Sequence, residues 1–465
     1  MAPTPGSIPV HGTNPAKVLD TTVVKTSEGE VHREVVTQGD PTDANAYAAV
    51  LQKTPGIDAY GGVVRPILNT DAFGRLRVSN PATLFDSQFQ YDKLAFIWDE
   101  DTTGSGSSSH NANGAYIEMD TTTANGDEVI RQTYTYHRYQ PGKSQLVVCT
   151  FDLVEAITGV RKRIGYFDAD NGVFFEEDGG ACSVVRRSKV SGSVVDTSVA
   201  QASWNIDAMD GSGPSGITLD PSKSLIWWAD LEWLGVGTVR VGFVINGVFY
   251  IVHAFHHSNL ASKTYMTTAN LPLRYQITNT SAPSSAGQLL QICSTVMSEG
   301  GFAEDSGLPF AASNGITVVE VNGRRPVMSI RPKATFNSIV NRGQMVIDEY
   351  AAFAISGNVY VELVHGGTLT GASFASVDAD SIAEFDVAAT GINGGHVIEV
   401  THVAASAQGS RLFSSSDGST LLSKIPMALD IGGNQVDNGN LTIVATSMDG
   451  GAEDVVGHLT WKELR

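Results

Sequence analysis

Three histidines, His253, His256 and His257, lie within five residues of each other in the sequence HAFHH. A protein zinc site needs three or four such side chains converging on one ion. In an extended strand, neighbouring side chains alternate between two faces, so His253 and His257 would lie on one side and His256 on the other. The spacing therefore favours packing or surface histidines, and we expect no metal site here.

Two carboxylates, Asp168 and Asp170, lie close together in the sequence FDADNG. Calcium loops use closely spaced carboxylates in this way, followed by a glycine and a later glutamate. This loop is one position short before its glycine and lacks the glutamate. The sequence therefore favours a turn between two strands over a calcium site.

Catalytic carboxylates are the remaining candidates for chemistry. Glycoside hydrolysis needs two carboxyl groups about 5 to 10 Å apart across a cleft, and Asp230, Glu232, Glu349 and Glu362 could supply such a pair. With 49 acidic residues in the chain, some pair is close by chance. Nucleophile-elbow, zinc-protease, phosphate-loop and dinucleotide motifs are missing from the sequence. We expect no catalytic residues, no cofactor and no enzymatic activity.

Three tryptophans, Trp227, Trp228 and Trp233, fall in the sequence SLIWWADLEWLGVG. Exposed indole rings can stack on the apolar face of a sugar. Strand alternation would place one of Trp227 and Trp228 in the core and the other outside. Core packing is the favoured interpretation, and Trp228 is the candidate for a glycan contact.

Charge and hydropathy exclude several classes of protein. The chain of 465 residues carries 30 basic and 49 acidic residues, for a net charge of -19, which argues against nucleic-acid binding or docking on an anionic membrane. The apolar stretches are too short to cross a bilayer, and the N-terminus does not look like a signal peptide. We therefore expect synthesis in a cytoplasm.

The three cysteines have neither disulfide-scaffold nor metal-site spacing, so we expect packed free thiols.

The abundance of turn-forming residues predicts the class of fold. Forty-eight glycines among many Ser, Thr, Asn and Asp residues predict short strands joined by frequent turns. We predict an all-β protein in which an extended N-terminal arm is followed by two antiparallel, jelly-roll-like β-sandwich domains. The expected boundaries are 1–70 for the arm, 71–301 for the first sandwich, 302–313 for a linker and 314–465 for the second sandwich.

A hairpin around Asn246 and Gly247 is the best-defined local prediction. An Asn-Gly pair fits the positive φ angles of a type I′ turn, which would place Ile245 opposite Val248. Both faces of the resulting ribbon are apolar, because Val244, Phe249 and Ile251 alternate with equally apolar neighbours. Such a ribbon should be covered on both sides, either inside a sandwich or at a subunit contact.

Five stretches resemble a family of virion proteins from tailed bacteriophages, described as tail, neck or head-fibre structural proteins. They are VHREVVTQGDPTDANAYAAV (31–50), DAFGRLRVSNPATLFDSQFQYDK (71–93), GVRKRIGYFDADNGVFFE (159–176), LEWLGVGTVRVGFVINGVFYIVHAFHHSN (231–259) and YMTTANLPLRYQITN (265–279). Together they cover about residues 31–300, and FGRLRVSNPATLFD is the most specific. Residues 314–465 lie outside the resemblance.

The resemblance implies a lectin-like sandwich attached to the virion through the N-terminal arm. The partners it implies are other virion proteins and further copies of the chain, with a trimer as the leading expectation. Arg75 and Arg77 flank Leu76 and would place two guanidinium groups on one face, where they could pair with carboxylates of an adjacent subunit or within the same chain. The residues expected at assembly interfaces are Arg33, Phe73, Arg75, Arg77 and Phe85.

The sequence therefore predicts a structural component of a tailed-phage virion, made in the host cytoplasm, that acts through oligomeric assembly. Glycan-binding receptor recognition, capsid decoration and polysaccharide depolymerisation stay open as alternatives. A host-surface glycan is the partner that the first of these would require.

Overall fold

Short strands joined by turns make up the part of the chain that the computed structural model describes. That part comprises residues 80–302, 307–405 and 427–465, together with the backbone of four strands outside these ranges. Within it there is no α-helix, and two single-turn 3₁₀ helices occur at Gln201–Ser203 and Asp437–Gly439. The all-β prediction is confirmed. None of the described helices is long and apolar enough to cross a membrane.

The chain divides into two units, residues 1–70 and 71–465. The first unit contains a three-stranded antiparallel sheet that the sequence analysis did not predict. The strands of this unit are β1 (Thr4–Pro9), β2 (Val18–Thr26) and β3 (Gly29–Glu34).

The first sandwich of the second unit consists of two antiparallel sheets. The seven-stranded sheet has the order β13-β12-β11-β10-β17-β8-β5, and the eight-stranded sheet runs β16-β15-β14-β9-β18-β7-β6, with β4 paired to β18. Its strands are β4 (Ala82–Gln88), β5 (Trp98–Thr103), β6 (Ser107–Asn111), β7 (Tyr116–Thr121), β8 (Glu128–Thr133), β9 (Gln145–Asp152), β10 (Val160–Phe167), β11 (Gly172–Asp178), β12 (Ala181–Ser188), β13 (Val195–Ala200), β14 (Leu225–Leu231), β15 (Val239–Ile245), β16 (Val248–Phe255), β17 (Leu273–Asn279) and β18 (Gly287–Ser298).

Alternating side chains from both sheets form the core of this sandwich. Phe175 of the seven-stranded sheet meets Phe243 of the eight-stranded sheet edge-on, with ring centroids 5.4 Å apart. Cys149 lies in the same core and is fully buried. Burial raises its pKa to about 12, so the thiol stays protonated. The prediction of packed free thiols is confirmed for Cys149 and Cys182, whereas Cys293 is half-buried.

The predicted hairpin is present at the edge of the eight-stranded sheet. Asn246 and Gly247 have φ angles of 52° and 76°, and Ile245 pairs with Val248. These are the positive angles of a type I′ turn. The pairing of the two strands shifts at a bulge between Val241 and Gly242, which the alternation of the sequence does not reveal.

The second sandwich also has two main antiparallel sheets. The five-stranded sheet contains β19-β33-β24-β31 with β20 paired to β33, and the six-stranded sheet runs β27-β28-β21-β32-β25-β30. Its strands are β19 (Leu308–Ser313), β20 (Val319–Val321), β21 (Arg325–Pro332), β22 (Thr335–Phe336), β23 (Ile339–Val340), β24 (Gln344–Ala354), β25 (Val359–His365), β26 (Thr368–Thr370), β27 (Ala375–Ser376), β28 (Ala383–Asp386), β29 (Gly391–Asn393), β30 (His396–Val403), β31 (Ser410–Arg411), β32 (Leu441–Ser447) and β33 (Glu453–Leu464).

The segment 302–313, which we expected to be a linker, contains β19. This strand pairs along its whole length with β33, the last strand of the chain. The pairing gives the apolar residues Leu308 and Phe310 a place in a sheet, so the second sandwich begins before residue 314.

The two sandwiches contact each other within the second unit. The carboxylate of Asp99 accepts a hydrogen bond of 2.7 Å from the backbone N–H of Ile431. The guanidinium of Arg342 lies 4.3 Å from the ring centroid of Tyr136. A charge-assisted bond and a cation–π contact thus connect the two sandwiches.

Gly242 gives a direct test of how tightly the hairpin packs. It lies opposite Trp228 on the neighbouring strand, and a Cβ at this position would overlap the carbonyl of Tyr250 and approach the indole to 3.0 Å. We expect Gly242→Ala to lower the free energy of unfolding by about 1 to 3 kcal/mol, the usual cost of overpacking, as measured by urea denaturation. Gly323→Ala is the control, because a Cβ there meets nothing within 4 Å. Equal stability of the two variants would contradict the packing described.

Candidate functional site

One face of the eight-stranded sheet points away from the core and is apolar. Trp227 of β14 faces the core, so its neighbours Ile226 and Trp228 point outward. Trp228 lies opposite Val148 of β9, which in turn lies opposite Thr295 of β18. We call this surface the apolar outer face; it comprises Leu146, Val148, Thr150, Ile226, Trp228, Val244, Phe249, Ile251, Cys293, Thr295 and Met297.

The apolar outer face is partly open to solvent. Ile226 is 36% exposed and Phe249 is 38% exposed, and most of the other members are half-buried. The charges that β14 and β15 contribute belong to Asp230 and Arg240, which form an ion pair with each other. The face is thus a hydrophobic surface with its central charges neutralised.

The border of this face is acidic on one side. Glu118 of β7 lies opposite Leu290 of β18, and Asp120 lies opposite Gln288. Burial raises the pKa of Asp120, and the nearby charge of Glu118 adds to that shift. An apolar centre with a polar border is the usual composition of protein interfaces.

We predicted that one of Trp227 and Trp228 would lie outside the core, and Trp228 is the one on the outward side of the sheet. Its ring is nevertheless not available to a ligand. Only 2% of its surface is exposed, because its indole lies beside Gly242 and packs against Phe249 with ring centroids 5.5 Å apart. A buried ring offers no face for a sugar to stack on. The structure therefore contradicts the suggestion that Trp228 contacts a glycan.

The predicted interface residues are only partly within the described chain. Phe73, Arg75 and Arg77 lie outside the described residues, as does the side chain of Arg33, whose backbone belongs to β3. Phe85 lies in β4 and packs inward, with its ring 5.9 Å from that of Trp98 and 5.1 Å from that of His137. It lines a cavity of about 310 Å³ between the sandwiches.

The histidine cluster does not converge. The backbone N–H of Asn205 donates to Nδ1 of His253 at 3.2 Å. Nδ1 of His257 donates to the carbonyl of Gly237 at 2.6 Å, and His256 bonds with Thr238 at 3.3 Å. Among the described residues, no group of three or more His, Cys, Asp or Glu side chains could hold a metal ion.

The Asp168 loop is a turn, as predicted. Its carboxylate accepts the backbone N–H groups of Asp170 and Asn171, at 2.8 and 2.7 Å. Asp170 forms a salt bridge with Lys189 at 2.9 Å. Both carboxylates are therefore engaged in shaping the loop between β10 and β11.

The structure does not bring the four candidate carboxylates into one cleft. Asp230 and Glu232 are buried in the first sandwich. Glu349 belongs to β24 of the five-stranded sheet and lies 3.9 Å from His458. Glu362 belongs to β25 of the six-stranded sheet and pairs with Arg324 at 2.7 Å. The four carboxylates are thus divided between the two sandwiches, two in each.

Comparison with known proteins found similarity among solved structures. No family model matches, and no curated protein matches. A protein of unknown function from Shewanella oneidensis is 10% identical, with a TM-score of 0.32, and the match covers 50% of this chain and 92% of that one. The Bacillus licheniformis beta-glucanase is 8% identical with a TM-score of 0.30, covering 47% and 98%. A beta-1,3-glucanase from Mycobacterium marinum is 11% identical with a TM-score of 0.32, covering 46% and 98%.

The prediction that the chain is not an enzyme is contradicted by these comparisons, and we withdraw it. Glycoside hydrolases recur among the similar structures. TM-scores near 0.3 and identities near 10% nevertheless carry no argument about what this chain does. The site must be judged from its own residues.

Sequence reasoning identified part of the apolar outer face and missed the rest. The two-sided hairpin indicated Val244, Phe249 and Ile251. The contributions of β9 and β18 were missed, although the largely apolar run LVVCTF in β9 was a usable signal. The sequence did not show that β14 lies between β9 and the hairpin in the sheet.

His137, which lines the cavity beside Phe85, gives a pH-dependent prediction. Burial lowers its pKa to about 3, whereas an unfolded chain has a histidine pKa of about 6.5. Between these values the unfolded state binds a proton that the folded state does not, so stability falls as the pH decreases. One group contributes at most about 1.4 kcal/mol per pH unit.

We expect His137→Gln to flatten the decline in unfolding free energy between pH 6.5 and pH 4, as measured by urea denaturation at several pH values. Part of the slope should remain, because burial also lowers the pKa of His253 and His257. His256→Gln, at an exposed position, is the matched control and should follow the wild-type profile. An unchanged slope in His137→Gln would refute the assignment.

Proposed function

We propose that the protein is a structural subunit that assembles with further copies of itself through the apolar outer face, as a component of a tailed-phage virion. The observation that carries the proposal is the half-exposed hydrophobic surface formed by β16, β15, β14, β9 and β18. The resemblance of residues 31–300 to virion proteins supports the location, and it alone suggests a trimer.

The size of the face suits an interface. Five neighbouring strands at about 4.8 Å spacing and six residues at about 3.4 Å each give a projected area of about 490 Å². Apolar patches of about 300 to 600 Å² on a protein surface are often functional. Covering this one would remove Ile226 and Phe249 from water, which favours association.

Net charge restricts where a second copy could bind. Each copy carries a net charge of -19, so two copies repel each other over most of their surfaces. The apolar outer face avoids this repulsion at its centre, since Asp230 and Arg240 neutralise each other there. Copies of an acidic protein can therefore approach most closely through this face.

Placing a charge on the face should prevent assembly. We expect the wild-type protein to have a mass that is a multiple of 49.2 kDa in size-exclusion chromatography with light scattering. Ile226→Asp and Phe249→Asp should shift it to the monomer, because association would bury an unpaired carboxylate. Val195→Asp is the control, since Val195 is 51% exposed on the other sheet. A monomeric wild type, or assembly that survives both substitutions, would rule out the proposed interface.

The virion location has a separate test. Gold-labelled antibody against the protein should mark a fixed position on purified phage particles, in the tail, the neck or a fibre. Particles without label, from a lysate whose soluble fraction contains the protein, would contradict the location. That outcome would leave self-association to be judged from the mass measurement.

A further inference from the structure

A polar groove of about 350 Å³ lies in the second sandwich, which falls outside the sequence resemblance. Arg331 of β21 and Glu384 of β28 form one wall, and they are direct cross-strand partners. The segment that precedes β32 supplies Gln435 and Asp437, and Phe374 is one of the apolar residues that also line the groove. A volume of this size is at the lower end of the range of small-ligand sites.

The groove is rigidly organised by its own contacts. Nε of Arg331 donates to Oε1 of Glu384 at 2.6 Å, and Nε2 of Gln435 donates to the same oxygen at 2.7 Å. The guanidinium carbon of Arg331 lies 3.7 Å from the ring centroid of Phe374. These contacts fix the guanidinium plane before any ligand arrives, so little side-chain entropy is lost on binding.

Several polar atoms of the groove keep unused hydrogen-bonding capacity. Within residues 80–302, 307–405 and 427–465, the protein provides no hydrogen-bond partner for the Nη atoms of Arg331 or for Oε2 of Glu384. The same holds for Oδ1 of Asp437, whose Oδ2 accepts the hydroxyl of Thr368 at 2.5 Å. Fixed donors and fixed acceptors therefore lie side by side.

This arrangement selects a chemical class of ligand. The two carboxylates outnumber the single guanidinium, so the groove disfavours phosphate, sulfate and other anions. Burying an apolar ligand would strip water from donors and acceptors without replacing their hydrogen bonds. Hydroxyl groups both donate and accept, and a polyhydroxyl ligand can satisfy both kinds of atom at once.

We infer that the groove of Arg331, Glu384, Gln435 and Asp437 binds a neutral oligosaccharide, holding one or two sugar rings by hydrogen bonds. Binding would be a second activity of the chain, located on a different sandwich from the proposed assembly face. It does not depend on that face, so either idea can fail alone.

The test uses the full-length protein and saturation-transfer difference NMR with an array of neutral glycans, including β-1,3- and β-1,4-linked glucose hexamers and mannohexaose. Hyaluronan hexamer serves as the anionic comparison. We expect at least one neutral glycan to bind, and Asp437→Ala and Arg331→Lys each to weaken it tenfold or more. Asp449→Ala is the matched control, because this exposed carboxylate bonds with Asn358 in a different loop and should leave affinity unchanged.

Two outcomes would overturn the inference. One is that the protein binds none of the neutral glycans, whether or not it binds hyaluronan. The other is binding that persists in both groove variants, which would place the glycan elsewhere. Asp437 is exposed, so its variant keeps the test valid even if Arg331→Lys fails to fold. The mass of each variant is measured in parallel, which separates loss of glycan binding from loss of assembly.

Discussion

A β-sheet has two faces, and the packing of one sheet against another covers only one of them. In the first sandwich, contacts such as Phe175 with Phe243 bury the inner faces of both sheets. The eight-stranded sheet nevertheless continues its apolar composition on its other side. Antiparallel sheets that face water normally alternate apolar and polar residues. The proposed assembly depends on the fact that both faces of this sheet are apolar.

Local features of the fold could be read from the sequence because their causes are local. Asn246 and Gly247 alone specify a tight turn, and the carboxylate of Asp168 shapes its own loop. The pairing of β19 with β33 instead joins residues that are far apart in the chain. Alternation cannot reveal that pairing, which explains why 302–313 was expected to be a linker.

The polar groove illustrates the same limit for a site. Arg331, Glu384 and Asp437 are far apart in the sequence and meet only through the order of strands in the six-stranded sheet. No spacing motif marks them, and each residue type is common on protein surfaces. Of the carboxylates that sequence reasoning did nominate, Asp230 pairs with Arg240 in the first sandwich and Glu362 pairs with Arg324 in the second.

Because successive side chains of a strand point to opposite faces, two thiols of the first sandwich lie on different sides of the eight-stranded sheet. Cys149 lies in the sealed core, while Cys293 on the adjacent strand lies on the outward side and is half-buried. Outside a reducing cytoplasm, a partly accessible sulfur is the one that oxidants reach first. A neighbouring copy that covers Cys293 would shield it, so assembly of this kind would also protect this thiol from oxidation.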